Sequence, residues 1–424
     1  MIRLDRLSLG RLPVVPGART PRCSTTGCRS CRRVVWDMAR PLNPFSPSFG
    51  VSPPVLAGRR PPLSDFETVF GNVRSPSYAT LVWGLRGTGK TVLLNAFEDR
   101  AAEQGWLIVS SAGAMPSGLL DDITAKTSRC LQTFEAEHGR RPGRVVSGIS
   151  LGGVGVQTEA ASEADAVPAA QHDLESMLVS LGDALAERGT GLLITVDELH
   201  AADVSEIRQF GGVFQLVSRR PERPIAFAGA ALPELEDRLM TGPAATFLQR
   251  CNRYEIGDLS PSDAETALRV PIETAGGRID DAALRKAAEA SGGQPYLVQL
   301  IGADMWDECT DPIAGITIDD VERAVTDSVR KFGEHVYAPV WRRLSDLDKR
   351  FLIAMLEDPG STSIADIGRR WQHDSRSLSR YRQRLLSAGF IAVVGRGRLA
   401  FVHEAARSHV ARQAADEGWL EAGT

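Results

Sequence analysis

LVWGLRGTGKTVLL, residues 81–94, packs three glycines and a lysine between two apolar runs. Gly84, Gly89, Lys90 and Thr91 satisfy the phosphate-loop spacing G-x-x-x-x-G-K-[ST] in full. The run Ala79–Trp83 is short, apolar and closed by glycine, so it reads as a buried strand. Thr91–Arg100 carries Val92, Leu93, Ala96 and Phe97 at helical spacing, so a helix follows. The loop residues Gly84, Leu85, Arg86, Gly87, Thr88 and Gly89 thus sit between a strand and a helix N-terminus, where backbone N–H groups and the helix dipole favour an anion. Lys90 is placed to reach the β- and γ-phosphates of a nucleotide, and the Thr91 hydroxyl to hold Mg²⁺. An ordinary glycine-rich turn would need none of these four fixed positions.

The chain has 424 residues, room for two to four domains at roughly 100–200 residues each. It is 43% hydrophobic and 24% charged with a net charge of -4, ordinary for a globular protein and without a global basic field that would announce nucleic acid. No stretch approaches the roughly 18 consecutive apolar residues of a membrane helix. Residues 1–37 hold eight Arg against two Asp and little apolar periodicity, and read as a disordered leader; Met38 opens more ordinary sequence. Cys23, Cys28 and Cys31 have an iron–sulfur-like spacing, but the next cysteine, Cys130, lies in a different predicted domain. Cys130, Cys251 and Cys309 are scattered, as free thiols of a reducing, cytoplasmic compartment would be.

Along the chain, residues 38–57 are rich in Pro and Ser and read as a linker. An amphipathic helix from about Leu63 turns Phe66, Val69 and Phe70 inward. Strands are expected at 105–113, 191–200 and 224–230, helices at 116–138, 171–188 and 203–219, and a hairpin-like excursion at 143–159. Alternating strands and helices predict a parallel sheet covered on both faces. After Asp258 the strands stop, and residues 261–337 have a helical pattern broken at SGGQPYLVQLIG.

Asp197 and Glu198 close the strand LLITV, and ligands of open α/β sheets collect at the carboxyl ends of strands. Asp197 reads as the acid acting on Mg²⁺, and Glu198 as the group that polarises the attacking water.

GLRGTGKT and LLITVDE resemble the Walker A and Walker B motifs of AAA+ and STAND-type P-loop ATPases. AGRRPPLSDF resembles the segment that leads into the loop in origin-recognition-like AAA+ proteins, and SGGQPYLVQLIG the Gly-x-Pro element of the helical lid in STAND and archaeal-type ATPases. The resemblance covers about residues 56–337. It implies ATP with Mg²⁺, a lid contact at Pro295, and an arginine finger at Arg250 or Arg253, placed just ahead of the strand RYEIGDL. Three departures stand out. An insertion near 135–172 separates Lys90 from Asp197. The strand PIAFAGA lacks a polar residue to touch the γ-phosphate, and the helix after Gly293 offers no Arg or Lys in the place of a second sensor. Together they imply slow hydrolysis, more switch than motor.

The last 85 or so residues give three short helices, with Ser363 a candidate cap of the second, and then a hairpin, IAVV-GRG-RLAFV. This looks like a winged helix-turn-helix. Residues 363–402 carry eight Arg and two Asp, a net of +6 within an acidic chain. Arg376, Arg380 and Arg384 at i, i+4, i+8 predict an outward stripe on the third helix, joined by Arg396 and Arg398 on the hairpin, as a footprint for double-stranded DNA. The expected fold class is therefore α/β: a P-loop NTPase parallel sheet with helices on both faces, a helical lid and a winged helix. The expected layout is a leader and linker (1–55), the ATPase core (56–258), the lid (259–337) and the winged helix (338–424). Two functions fit: an ATP-dependent DNA-binding switch, or a STAND-like signalling or assembly ATPase whose winged helix contacts protein, in a homo-oligomer or with a partner. Neither involves a membrane.

Overall fold

The computed structural model describes residues 41–48, 50–72, 75–138, 169–233, 235, 245–371 and 378–419. The expected leader, its three cysteines, the 143–159 excursion and Arg376 lie outside the described residues.

Five parallel strands form the central sheet: β1 (Ala79–Trp83), β2 (Leu107–Ala112), β3 (Leu192–Asp197), β4 (Ile225–Ala231) and β5 (Asn252–Glu255), in the order β2-β3-β4-β1-β5. The two-residue strand period feeds both faces. From β4, Ile225, Phe227 and Ala231 enter one core with Leu178, Phe210, Phe214 and Phe247; Ala226, Ala228 and Ala230 enter the other with Phe66, Leu93, Phe97 and Trp106. Helices Leu119–His138, Ala169–Ala186 and Val204–Val217 cover the first face, and the loop helix Lys90–Glu103 with helix Arg60–Glu67 covers the second. Small alanines on the second side of β4 let the loop helix lie close to the sheet. This is the expected parallel sheet with helices on both faces.

Four lid helices follow, Pro261–Thr274, Asp281–Ser291, Pro295–Glu308 and Ile318–Phe332. The last does not end at 337. It runs through a π-helical turn, Gly333–Tyr337, into Ala338–Trp341. The C-terminal module then contains helices Asp346–Met355, Ile364–Trp371 and Ser379–Ser387, an antiparallel sheet of β6 (Ser361–Ser363), β7 (Ile391–Gly395) and β8 (Arg398–Phe401) in the order β6-β8-β7, and a final helix, Glu404–Asp416. Ser363 accepts from the Asp366 N–H at 3.0 Å, the expected cap. Lid and module share one apolar core, in which Phe332, Tyr337 and Trp341 meet Phe351, Phe390 and Val410.

The Pro- and Ser-rich stretch read as a linker is packed where it is described. Phe45 is buried with its ring against Gly302, and the Asn43 amide donates to the Ala303 carbonyl at 3.0 Å. Farther along, the Asn95 amide of the loop helix donates to the Gly50 carbonyl at 2.9 Å. Long-range contacts with the lid helix and the loop helix fix a segment whose composition alone predicts none.

Candidate functional site

The phosphate loop leaves β1 at Gly84 and enters its helix at Gly89, the helix N-cap. Two of its glycines are fixed by close approach. A Cβ on Gly84 would lie 2.1 Å from the Ile256 carbonyl oxygen, just beyond β5. A Cβ on Gly87, where φ is +80°, would lie 2.2 Å from Gln294 Nε2. The Lys90 ammonium is buried and donates to the Gly84 and Leu85 carbonyls at 3.0 and 2.8 Å. Burial pushes its pKa down to about 8, against the opposing charges of Glu198 and Asp197. Leu85 also accepts from the Thr88 hydroxyl at 2.8 Å, and Arg86 is exposed at the loop tip.

β3 brings the second half of the site. The Thr91 hydroxyl donates to Asp197 Oδ2 at 2.6 Å, so the two residues expected to hold Mg²⁺ lie side by side. Asp197 Oδ1 accepts the Glu198 N–H at 2.7 Å. Glu198 takes φ +49°, the one non-glycine residue with positive φ among the described residues. Left-handed backbone costs about 1–2 kcal/mol for a side-chain-bearing residue and gathers at functional sites. The Glu198 carboxylate meets His200 Nε2 at 3.1 Å. That hydrogen bond is the main reason its pKa lies below the usual carboxylate value; burial opposes it, and the Lys90 and Arg86 charges add to it.

A cavity of roughly 280 Å³ opens beside the loop. The loop forms its polar wall, with Lys90, Thr91 and Glu198, and Val51, Pro53 and Val55 of the packed N-terminal segment form an apolar wall. Pro295 also lines it, as the first residue of its lid helix. The residue before it was not picked out by sequence reasoning. Gln294 is 1% exposed; its Oε1 accepts the Leu297 N–H at 2.8 Å and its Nε2 donates to the Arg86 carbonyl at 3.3 Å. One side chain therefore caps the lid helix and grips the phosphate loop, and an amide ahead of proline at a helix start was the available signal. Arg59 was also missed. It is buried, and its Nη2 donates to the Thr88 and Gly257 carbonyls at 3.0 and 2.6 Å, tying the loop to the chain beyond β5.

The finger candidates are split. Arg253 lies within β5, not ahead of it, opposite Leu81, with its guanidinium 5.5 Å from the Trp83 ring centroid. Arg250 is exposed after helix Ala245–Gln249. The arginines expected to form one outward stripe are also divided. Helix Ser379–Ser387 has nine residues, and Arg380 and Arg384 are the candidates on it. Arg384 donates to buried Asp348 at 2.7 and 3.1 Å, and Arg398 donates to the Ser361 carbonyl and hydroxyl, both at 2.8 Å through Nη2. Arg380, 4.7 Å over the Tyr381 ring, and Arg396, in the hairpin turn, are exposed. Among the described residues no helix is long and apolar enough to cross a membrane.

Residues 55–228 match the family model of the AAA ATPase domain, and residues 334–410 match a domain of unknown function (DUF8462). The chain thus has the P-loop NTPase fold and carries an AAA ATPase domain. Among solved structures it is similar to a Walker-type ATPase of Pyrococcus abyssi, with 14% identity, a TM-score of 0.59, and 84% of this chain and 96% of that one covered. It is also similar to the ORC2 protein of Aeropyrum pernix solved as ADPNP–ADP complexes, with 14% identity, a TM-score of 0.58, and 87% and 98% covered. None of the curated protein sequences matches it.

Proposed function

We propose that this chain is an ATP-operated switch with slow turnover, whose C-terminal module responds to the occupant of the phosphate loop. One observation carries the reading: Lys90, Thr91 and Glu198 line the mouth of one cavity, and Asp197 is hydrogen-bonded to Thr91 beside it. ATP would draw Lys90 from the Gly84 and Leu85 carbonyls onto its β- and γ-phosphates. Thr91 and Asp197 would hold Mg²⁺, which would supply positive charge beside those phosphates. Glu198 orients the attacking water and receives its proton. Slow turnover follows from β4, whose carboxyl end offers no polar side chain to the site. Arg250, exposed after β4 and before the edge strand β5, is the better placed of the two finger candidates to act on the nucleotide of a neighbouring copy. In Lys90→Ala, ATP affinity measured by calorimetry should fall beyond detection; wild-type affinity would reject the assignment.

A second reading keeps the module, taken as a winged helix, as a double-stranded DNA contact. Its support is the +6 balance of residues 363–402 and the exposure of Arg380 and Arg396. The switch by internal contact is favoured by the packing of the module on the loop. A Cβ on Gly389 would lie 3.3 Å from Leu85 Cδ2, and His403 faces Asp258 at 3.7 Å.

A further inference from the structure

The short turn Leu199–Ala201 folds His200 back beside Glu198. Its Nε2 lies 3.1 Å from Glu198 Oε2, and its Nδ1 accepts the Leu232 N–H at 3.3 Å. Leu232 is the first residue past β4. An imidazole nitrogen that accepts a backbone N–H carries no proton, so the proton of the neutral ring sits on Nε2 and points at the carboxylate. The side chain is 11% exposed, so few other arrangements are open to it.

We propose that His200 is the positioning residue of Glu198, fixing the carboxylate through Nε2–H and taking its own position from the backbone at the end of β4. The inference rests on the reading of Glu198 as the water-activating group. It gives the end of β4 a route to that group. Residues of the strand there are Gly229, Ala230 and Ala231, which offer no side-chain donor or acceptor; the Leu232 amide supplies the polar group, and the ring spans the gap. Any shift of the β4 terminus against β3 would move the ring, and with it the carboxylate, in or out of line. Glu198 has a left-handed backbone, and its side chain is 48% exposed, so its own packing does not hold it. The hydrogen bond from His200 does. Glutamine can take the place of the ring, because its amide offers an acceptor and a donor at a comparable separation; phenylalanine keeps the shape and loses both.

The test compares wild type with His200→Phe, His200→Gln and Glu198→Gln, by calorimetric ATP affinity and single-turnover phosphate release. His200→Phe should keep ATP affinity within about threefold while turnover falls by about tenfold to a hundredfold, as expected when a catalytic group is misplaced but present. His200→Gln should recover most of the rate, and Glu198→Gln should stop it. If Glu198→Gln turns over at the wild-type rate, the reading of Glu198 fails and this inference with it. If Glu198→Gln is dead but His200→Phe is as fast as wild type, this inference alone is overturned. Equal slowing in the Phe and Gln variants would also overturn it, because packing and not hydrogen bonding would then be at stake. A readout independent of turnover is the His200 tautomer in nucleotide-free protein labelled with ¹⁵N-histidine, assigned by the loss of its signal in His200→Phe. A proton on Nε2 is expected; a proton on Nδ1 would contradict the proposal.

Discussion

The Arg384 guanidinium donates twice to Asp348, whose carboxylate is 4% exposed and closes the capping box of helix Asp346–Met355 with Ser345. Removing Arg384 leaves that buried carboxylate with fewer donors. With the arginine half exposed, a cost on the order of 1–2 kcal/mol is expected. Arg384→Ala should therefore lower the melting temperature, and any loss of DNA binding in it would be uninformative. Arg380→Ala with Arg396→Ala is the clean test of the DNA reading. The pair should melt as wild type, and if each meets a phosphate, the slope of log affinity against log salt should flatten by roughly 1.8 in all. An unchanged slope on duplex DNA would count against it. At this scale the loop was legible because its chemistry is local: Lys90 and Thr91 were named from spacing, while Asp197, named from its place at a strand end, lies beside Thr91. Arg59, His200 and Gln294 were not, because what they touch is distant in sequence or behind a turn. Arg384 is exposed, as an outward position requires, but its pairing with Asp348 was not legible, because the i, i+4 pattern gives direction along a helix and not a partner on another.

At the scale of elements, the strands were legible because a buried parallel strand is a run of apolar residues, and β4 shows it in seven consecutive buried positions. The packed segment before Arg59 was not, since Pro and Ser carry no period and its order comes from Gly302, Ala303 and Asn95. Helix Glu404–Asp416 was missed because its inward face is largely alanine, Ala405, Ala406 and Ala414, around His409 and Val410. His409 gives this helix a testable pH dependence. It is 1% exposed, with ring centroids of Tyr337 and Trp341 at 6.1 and 6.3 Å. Burial, aided by the Arg412 charge and opposed by Glu334, lowers its pKa to about 4. An unfolded chain takes up this proton below about pH 6.5, the folded chain only below about 4, so stability is lost as pH falls through that window. Thermal melts from pH 7 to 4.5 should show His409→Phe losing less stability than wild type. Parallel losses would mean that His409 does not titrate there.

At the scale of the molecule, the lid and the C-terminal module are one packed body with a single core, and the π-helical turn between them places His335 and Val336 at the cavity. His335 Nδ1 lies 2.8 Å from the Tyr296 hydroxyl of the lid helix. Sequence reasoning divided the chain near 337 because the helical pattern changes there. A π turn has no sequence signature, and shared burial is a property of the fold. The module meets the phosphate loop through Gly389 against Leu85, and the turn that leads into it lines the cavity beside the loop. A ligand shifts such an equilibrium only by binding one arrangement better than another. An ATP that draws Lys90 off the Leu85 carbonyl disturbs the residue on which Gly389 packs. Hydrogen exchange measured by mass spectrometry on the nucleotide-free protein and on the protein saturated with a non-hydrolysable ATP analogue tests this directly. The account predicts protection of the loop together with a change in exchange at residues 385–403 and 333–337. Protection of the loop with identical exchange throughout the C-terminal module would contradict it.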